Sequence, residues 1–494
     1  MVVSFMKKGF DNKKYIKIQS KKIKERFKLF DKLYLEIGGK LFDDYHAARV
    51  LPGFMPDAKI NMFKELKNDL EIIFCISAND IERNKTRAEF GITYDVEVMR
   101  LIDNLTNLGF SINSVVITLY NHQNSVDNFI KKLERHNIKT YIHTFTKGYP
   151  RDVDTIVSEE GYGANPYIET TKKLVLVNAP GPGSGKLATC LSQLYHEHKR
   201  GINAGYAKFE TFPVWDLPLK HPVNVAYEAA TADLSDVNMI DSFHLEEYGI
   251  KAVNYNRDLA TFPILKTILS KITNTNIYKS PTDMGVNMIG KCIVDNAAVE
   301  LAAKKEIARR YYQAMIDYKT GQVDINVPDR IKILMNELGI KNNILEAVDK
   351  TLEKHKKTSK PVLALKLPNR KIVTGKESAL LSAPSALIIN AIKVLSKIPD
   401  DFDLLSPAIL EPILKQRKKQ NNKPLQLQEV MIALSICSVT NPVVEKALNH
   451  LDKLKDSEAH ASYIVTNGDK KSLASLGIRL TCEANFHSDN LYNE

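Results

Sequence analysis

Sulfur and indole are scarce in this chain. Its 494 residues hold five cysteines and one tryptophan. Cys75, Cys190, Cys292, Cys437 and Cys482 are far apart, odd in number, and form no Cys-x-x-Cys pair. That excludes a zinc ribbon or a disulfide framework and points to reduced thiols. No apolar run approaches the roughly 18 residues of a membrane span. Met1 to Phe10 lacks the apolar centre of a secretory signal. The expected setting is therefore cytoplasmic, with no membrane partner. The sequence also has no internal repeat and no low-complexity tract.

Arginine is the other shortage, with 15 arginines against 54 lysines in a chain of net charge +11. Asparagine is abundant as well, and the balance resembles AT-rich codon usage. The lysines from Lys7 to Lys32 and the run Lys415-Gln416-Arg417-Lys418-Lys419 carry no interleaved stacking aromatics. They read as solvated surface, and nucleic acid is disfavoured as a partner. Where lysine would serve a surface, an arginine suggests a need for its planar, bidentate fork. Arg49, Arg83, Arg87, Arg151 and Arg257 lie in loop-like segments. Each is a candidate anion ligand, and each equally fits a salt bridge to a local acid.

The length suits about three domains. Short apolar runs at 33–37, 70–76, 115–119, 141–143 and 174–177 alternate with helical stripes such as Val98, Leu101, Ile102, Leu105 and Leu108. That alternation predicts an α/β fold, a mostly parallel sheet with helices on both faces. The expected division is an α/β domain over 1–240, a mainly helical region over 241–355 and a smaller α/β domain over 356–494. In the last, strands are expected at 362–365, 462–465 and 478–482.

The segment Leu174-Val175-Leu176-Val177-Asn178-Ala179-Pro180-Gly181-Pro182-Gly183-Ser184-Gly185-Lys186 concentrates the chemistry. An apolar strand runs into a glycine-rich turn, a Gly-Lys pair and a helical stripe, Leu187, Leu191 and Leu194. Such a turn aims backbone N–H groups at an anion, and the helix start adds partial positive charge. The turn is P-loop-like rather than a P-loop. Pro180 stands where the first glycine belongs, Gly181 is one residue late, and Leu187 replaces the magnesium-binding hydroxyl. Gly181, Gly183, Ser184, Gly185, Lys186 and Thr189 are the candidate phosphate ligands, joined by Arg49 and Arg83. The bland reading is a turn shaped for close packing, with Lys186 solvated.

Other polar constellations follow the first strands. Asp43-Asp44-Tyr45-His46-Ala47-Ala48-Arg49 offers carboxylates, an imidazole and a guanidinium, or else a helix N-terminus capped by Asp43 or Asp44. The cationic segment Arg83-Asn84-Lys85-Thr86-Arg87 follows the second strand. Lys186, Asp43, Asp44, His46 and Arg87 are the candidate catalytic groups, with Asp233 a further acid. A magnesium ion carried in with a nucleotide would need these acids in place of the missing hydroxyl. His196-Glu197-His198 is not a zinc motif. Two histidines two residues apart on one helix point about 200° apart, so no zinc is expected.

Several of these segments match one family. Phe42 to Phe54, Pro180 to Glu197, Tyr206 to Pro213, Ala229 to Leu234 and Ser280 to Asn287 resemble, in order, the bacterial domain-of-unknown-function family 1846. The C-terminal part, with His460 and Leu476-Gly477-Ile478, matches more loosely. The resemblance implies a cytoplasmic bacterial protein with an α/β body, a helical part and a C-terminal α/β domain. It brings no established reaction. Some members carry a zinc-protease label, which these residues do not support.

Two functional readings stand at this point. One is an enzyme that binds a nucleotide or phosphorylated small molecule and acts on a phosphoryl or related group. The other is a non-catalytic phosphate-sensing or interaction protein using the same turn. Self-association is left open.

Overall fold

The computed structural model describes residues 8–87, 91–416 and 423–488. Lys7 and the basic residues Arg417, Lys418 and Lys419 lie outside the described residues. The chain divides into two compact units. Of the described residues, the larger holds 8–228 and 235–302, and the smaller holds 229–234 and those from 303 onward.

Seven strands build the main sheet of the larger unit: β1 (Lys32–Ile37), β2 (Leu70–Ser77), β3 (Ser111–Thr118), β4 (Lys139–His143), β5 (Leu174–Asn178), β6 (Ala204–Phe209) and β7 (Gly285–Val286). Their order is β7-β6-β1-β5-β2-β3-β4, and every neighbouring pair is parallel. β5, which leads into the glycine turn, is the central strand. The helices used below are α1 (Asn12–Phe27), α2 (Tyr45–Val50), α3 (Ala58–Lys64), α4 (Tyr94–Asn107), α5 (Asn124–Arg135), α6 (Lys186–Lys199) and α7 (Asn256–Thr273).

Side chains alternate across a strand, and here both faces are apolar. Leu33, Leu35, Leu70, Ile72, Phe74, Leu174 and Leu176 pack with α1, α3, α4 and α5 on one face. Tyr34, Ile73, Cys75, Val175 and Val177 pack with α6 and α7 on the other. The continuous apolar runs in the sequence reflect this double burial. β6 is harder to read, because its sequence Ala-Gly-Tyr-Ala-Lys-Phe lacks such a run.

With both faces covered, charged groups collect at the two ends of the sheet. At the amino end Glu197 is fully buried. Its Oε1 accepts from Lys32 Nζ at 2.8 Å, Tyr34 Oη at 2.7 Å and Tyr167 Oη at 3.2 Å. At the carboxyl end β5 passes through the turn into α6, which Gly185 caps at φ +84°.

The smaller unit carries a mixed four-stranded sheet of β8 (Val362–Lys366), β9 (Ile372–Lys376), β10 (Glu458–Ala461) and β11 (Arg479–Cys482), ordered β9-β8-β10-β11. β8 is antiparallel to β9 and β10, while β10 and β11 are parallel. The helices α8 (Ala383–Ser396) and α9 (Leu427–Ser438) cover it. The strand expected at 462–465 lies four residues upstream. Ser462 closes the ladder there: its N–H donates to the Val362 carbonyl at 3.0 Å, and its hydroxyl accepts from the Val362 N–H at 3.1 Å. Among the described residues no helix is long and apolar enough to cross a membrane.

Two glycines of the turn differ in a way that can be measured. A Cβ on Gly185 would stand 2.6 Å from Thr118 Cγ2, whereas one on Gly183 would meet open space. Both residues have positive φ, +84° and +76°. Gly183→Ala is expected to cost about 1–2 kcal/mol from the left-handed backbone alone. Gly185→Ala adds the clash and should lower the thermal midpoint further. Equal midpoints would mean that the Thr118 contact gives way without penalty.

His143, at the end of β4, supplies a pH test. Burial lowers its pKa to about 4, against which a hydrogen bond to the Pro166 carbonyl pulls upward. The unfolded chain gains this proton near pH 6.5, the folded chain only near 4. Its contribution is therefore intact above about 6.5 and is lost as pH falls towards 4, by about 3 kcal/mol in all. His143→Gln should flatten this part of the acid destabilisation. An unchanged fall in unfolding midpoint between pH 7 and 4.5 would exclude His143 as its source.

Candidate functional site

The glycine turn is held from both sides. Gly181 sits against the Tyr94 hydroxyl, so closely that a Cβ there would lie 2.2 Å from Tyr94 Oη. The Thr118 hydroxyl donates to the Ser184 carbonyl at 3.0 Å. Ser184 is buried, and its own hydroxyl donates to the Gly181 carbonyl at 3.0 Å. Thr189 turns away beneath the sheet, 3.4 Å from Cys75 Sγ. Burial pushes the Cys75 thiol up to about 12. Gly183 and Gly185 shape the turn, and Lys186 opens the helix. This combines a helix N-terminus, with its partial positive charge, and a full cation.

Lys186 does not stand alone. Its Nζ lies 4.0 Å from Glu36 Oε1, at the carboxyl end of β1. Glu36 Oε2 accepts from Tyr206 Oη at 2.7 Å. On the next strand Lys208 is the register partner of Glu36. Lys208 Nζ lies 2.6 Å from Glu210 and 2.9 Å from Asp258. The resulting row, Lys186, Glu36, Lys208, Glu210 and Asp258, alternates in sign along the strand ends. Its side chains are 11–21% exposed, so they are shielded yet reached by solvent.

This setting shifts the protonation of the row. Burial drives the Glu210 carboxyl up to about 7, against the pull of Lys208 and with the repulsion of Asp258. Burial alone would lower Lys208, but Asp258, Glu210 and Glu36 outweigh it and raise the ammonium. A carboxyl that titrates near neutral pH beside a firmly protonated ammonium can take up and release a proton there.

The sequence candidates around 43–49 fall on the same side of β1 but have local partners. Asp44 caps α2 by accepting from the Ala47 N–H at 3.1 Å, and it pairs with Lys59 at 2.9 Å. Burial would raise its carboxyl, yet Lys59 and the cap hold it below the usual range. Asp43 is 3.5 Å from Arg100. His46 is buried edge-on to Phe212 and Tyr227, at ring distances of 5.6 and 5.4 Å. Arg49 is half-buried in the last turn of α2.

Arg87 pairs with the fully buried Glu97, which also takes Arg100 Nε at 2.7 Å. Arg83 is exposed after the short helix Ala78–Glu82. Asp233 is exposed on a single turn of 3-10 helix that belongs to the smaller unit. His196 and His198 face different carbonyls, those of Asn165 and Ala204. Among the described residues no group of three or more His, Cys, Asp or Glu side chains is placed to hold a metal ion.

Glu36, Lys208, Glu210 and Asp258 escaped the sequence reading. The signal for Glu36 was present: a carboxylate inside an otherwise apolar strand. Lys208 and Glu210 lie within the segment Tyr206 to Pro213 that carries part of the family resemblance.

Comparison with known proteins extends that resemblance to the whole chain. The N-terminal domain described as Domain of unknown function DUF1846 matches residues 8–339, and its C-terminal counterpart matches residues 343–492. A UPF0371 protein of Clostridium botulinum is 55% identical over 499 residues, with 99% of each chain covered. One from Clostridioides difficile is 54% identical over 499 residues, covering 99% of this chain and all of the relative. One from Fusobacterium nucleatum is 53% identical over 503 residues, again with 99% of each covered. The chain belongs to the DUF1846 family, whose relatives here are bacterial UPF0371 proteins.

Proposed function

We propose that the larger unit binds a phosphorylated small molecule or nucleotide at Gly183–Lys186 and acts on it with the side chains at the strand ends. One observation carries the reading. A left-handed glycine turn opens the 14-residue helix α6 at the carboxyl end of the central parallel strand, with Lys186 beside it. In open α/β sheets ligands lie outside the carboxyl ends of the strands. A phosphate there meets N–H groups, the helix N-terminus and an ammonium.

The Glu210 carboxyl, raised to about 7 beside Lys208 and two strands from Lys186, favours an enzyme over a sensor. A sensor needs the anion site alone. A carboxyl able to gain and lose a proton near neutral pH suits general acid–base work. Arg87 and Asp44 are not part of this reading, since Glu97 and Lys59 already neutralise them.

Thermal-shift measurements over inorganic phosphate, sugar phosphates and nucleotides test it. Wild-type protein is expected to be stabilised by at least one of these anions. Lys186→Ala should weaken that binding about tenfold or more, the usual effect of removing a charge-assisted contact. An unstabilised wild-type protein, or a Lys186→Ala variant with wild-type affinity, would overturn the proposal.

A further inference from the structure

The row beside Lys186 carries three carboxylates, Glu36, Glu210 and Asp258, and near it one buried hydroxyl has no partner among the described residues. Tyr255 is 3% exposed. Among the described residues its Oη makes no hydrogen bond. Its ring stacks on Tyr227 at 5.9 Å. Burial raises its pKa, and Glu210, Asp236 and Asp258 are among the charges that raise it further. Tyr255 is thus close enough to Glu210 and Asp258 for their charges to act on its hydroxyl. Tyr255 precedes α7, and Asp258 lies in the first turn of that helix. A buried hydroxyl without a partner is unfavourable unless a ligand or water completes it.

The chemistry of this end differs from that of the turn. An ionised carboxylate only accepts hydrogen bonds, and a carboxyl raised to about 7, as at Glu210, can also donate one, so groups that both donate and accept suit the place beside Glu36 and Glu210. An ammonium is disfavoured, because Lys208 Nζ already occupies the place between Glu210 and Asp258, 2.6 and 2.9 Å away. Neutral hydroxyls fit. Tyr255 Oη can donate to or accept from one of them. The row spans β5, β1 and β6, two strand spacings or roughly 10 Å. That is the length of a phosphorylated sugar.

We infer that the ligand of this site is a polyhydroxylated phosphate ester, its phosphate on Gly183–Lys186 and its hydroxyls on Glu36, Glu210 and Tyr255. The inference rests on the phosphate reading above and specifies the rest of the molecule. When the phosphate engages Lys186, Glu36 loses its nearest cation, and a ligand hydroxyl takes that place. Gly38 is part of the same construction. A Cβ there would stand 2.7 Å from Glu210 Cγ, so the bare backbone leaves room for the carboxylate to reach the row.

The test compares inorganic phosphate, glycerol 3-phosphate, ribose 5-phosphate and glucose 6-phosphate by calorimetry and thermal shift. The proteins are wild type, Lys186→Ala, Glu210→Gln and Tyr255→Phe. In wild type the sugar phosphates are expected to bind at least tenfold more tightly than inorganic phosphate. Tyr255→Phe and Glu210→Gln should erase most of that margin and leave inorganic phosphate affinity unchanged. Lys186→Ala should weaken every probe. Tyr255→Phe should also keep or raise the unfolding midpoint of the unliganded protein, because it removes only an unpartnered hydroxyl, so its loss of affinity cannot be put down to misfolding. Sugar phosphates that bind no tighter than inorganic phosphate would overturn the inference and leave the phosphate site standing. So would a margin that survives both variants. If no probe binds wild type, the phosphate reading and this inference fall together.

Discussion

A parallel sheet covered on both faces leaves its charged groups only two places to go. Their hydration is lost along the strands, so they gather at the strand ends, where partners and water remain within reach. The larger unit follows this constraint closely. At the amino end Glu197 gathers Lys32, Tyr34 and Tyr167 around one oxygen, in a closed network. At the carboxyl end Lys186, Glu36, Lys208, Glu210 and Asp258 form an open row that solvent still touches. The first network places all its donors on Oε1, while Glu197 Oε2 is buried with no hydrogen-bond partner among the described residues. The second holds a carboxyl raised to about 7 within reach of solvent.

The glycine turn is rigid for reasons that lie outside it. Tyr94, at the start of α4, fills the space that a side chain on Gly181 would take. Thr118, at the end of β3, packs on Gly185 and holds the Ser184 carbonyl. Both contacts come from the β2–β3 side of the central strand, whereas Glu36 and Lys208 come from the β1–β6 side. Lys186 thus stands between a buttress of Tyr94 and Thr118 and a charged row. Such preorganisation lowers the ordering cost of binding an anion.

Much of this was legible in the sequence, and the rest failed for definable reasons. The strands of the central sheet announced themselves because double burial demands continuous apolar runs, and the turn because only glycine tolerates its backbone. The candidates at 43–49 and 83–87 were chosen by residue type. Several are met by partners nearby in sequence: Lys59 for Asp44 and Glu97 for Arg87. Nothing in their local spacing distinguished a neutralised side chain from an available one. The acid–base row was hidden for the opposite reason. Glu36 meets Lys208 through strand register across more than 170 residues, and β6 lacks the apolar signature that would have drawn attention to it. Pairing of that range is a property of topology, and a single sequence does not display topology.

The position of β5 has a consequence for how the molecule comes into being. β1 and β2 follow one another in the chain, yet they do not pair. β5 lies between them, bonded to both, and it arrives about a hundred residues later. A nascent chain that has emerged only as far as β4 can join β2, β3 and β4, but β1 has neither of its neighbours. The segment that fills this gap is the one that ends in the glycine turn. Sheet closure and construction of the glycine turn are thus a single event. A partly synthesised or partly unfolded chain in which β5 is displaced would lack the turn altogether, and whatever depends on the turn would report on completion of the sheet itself.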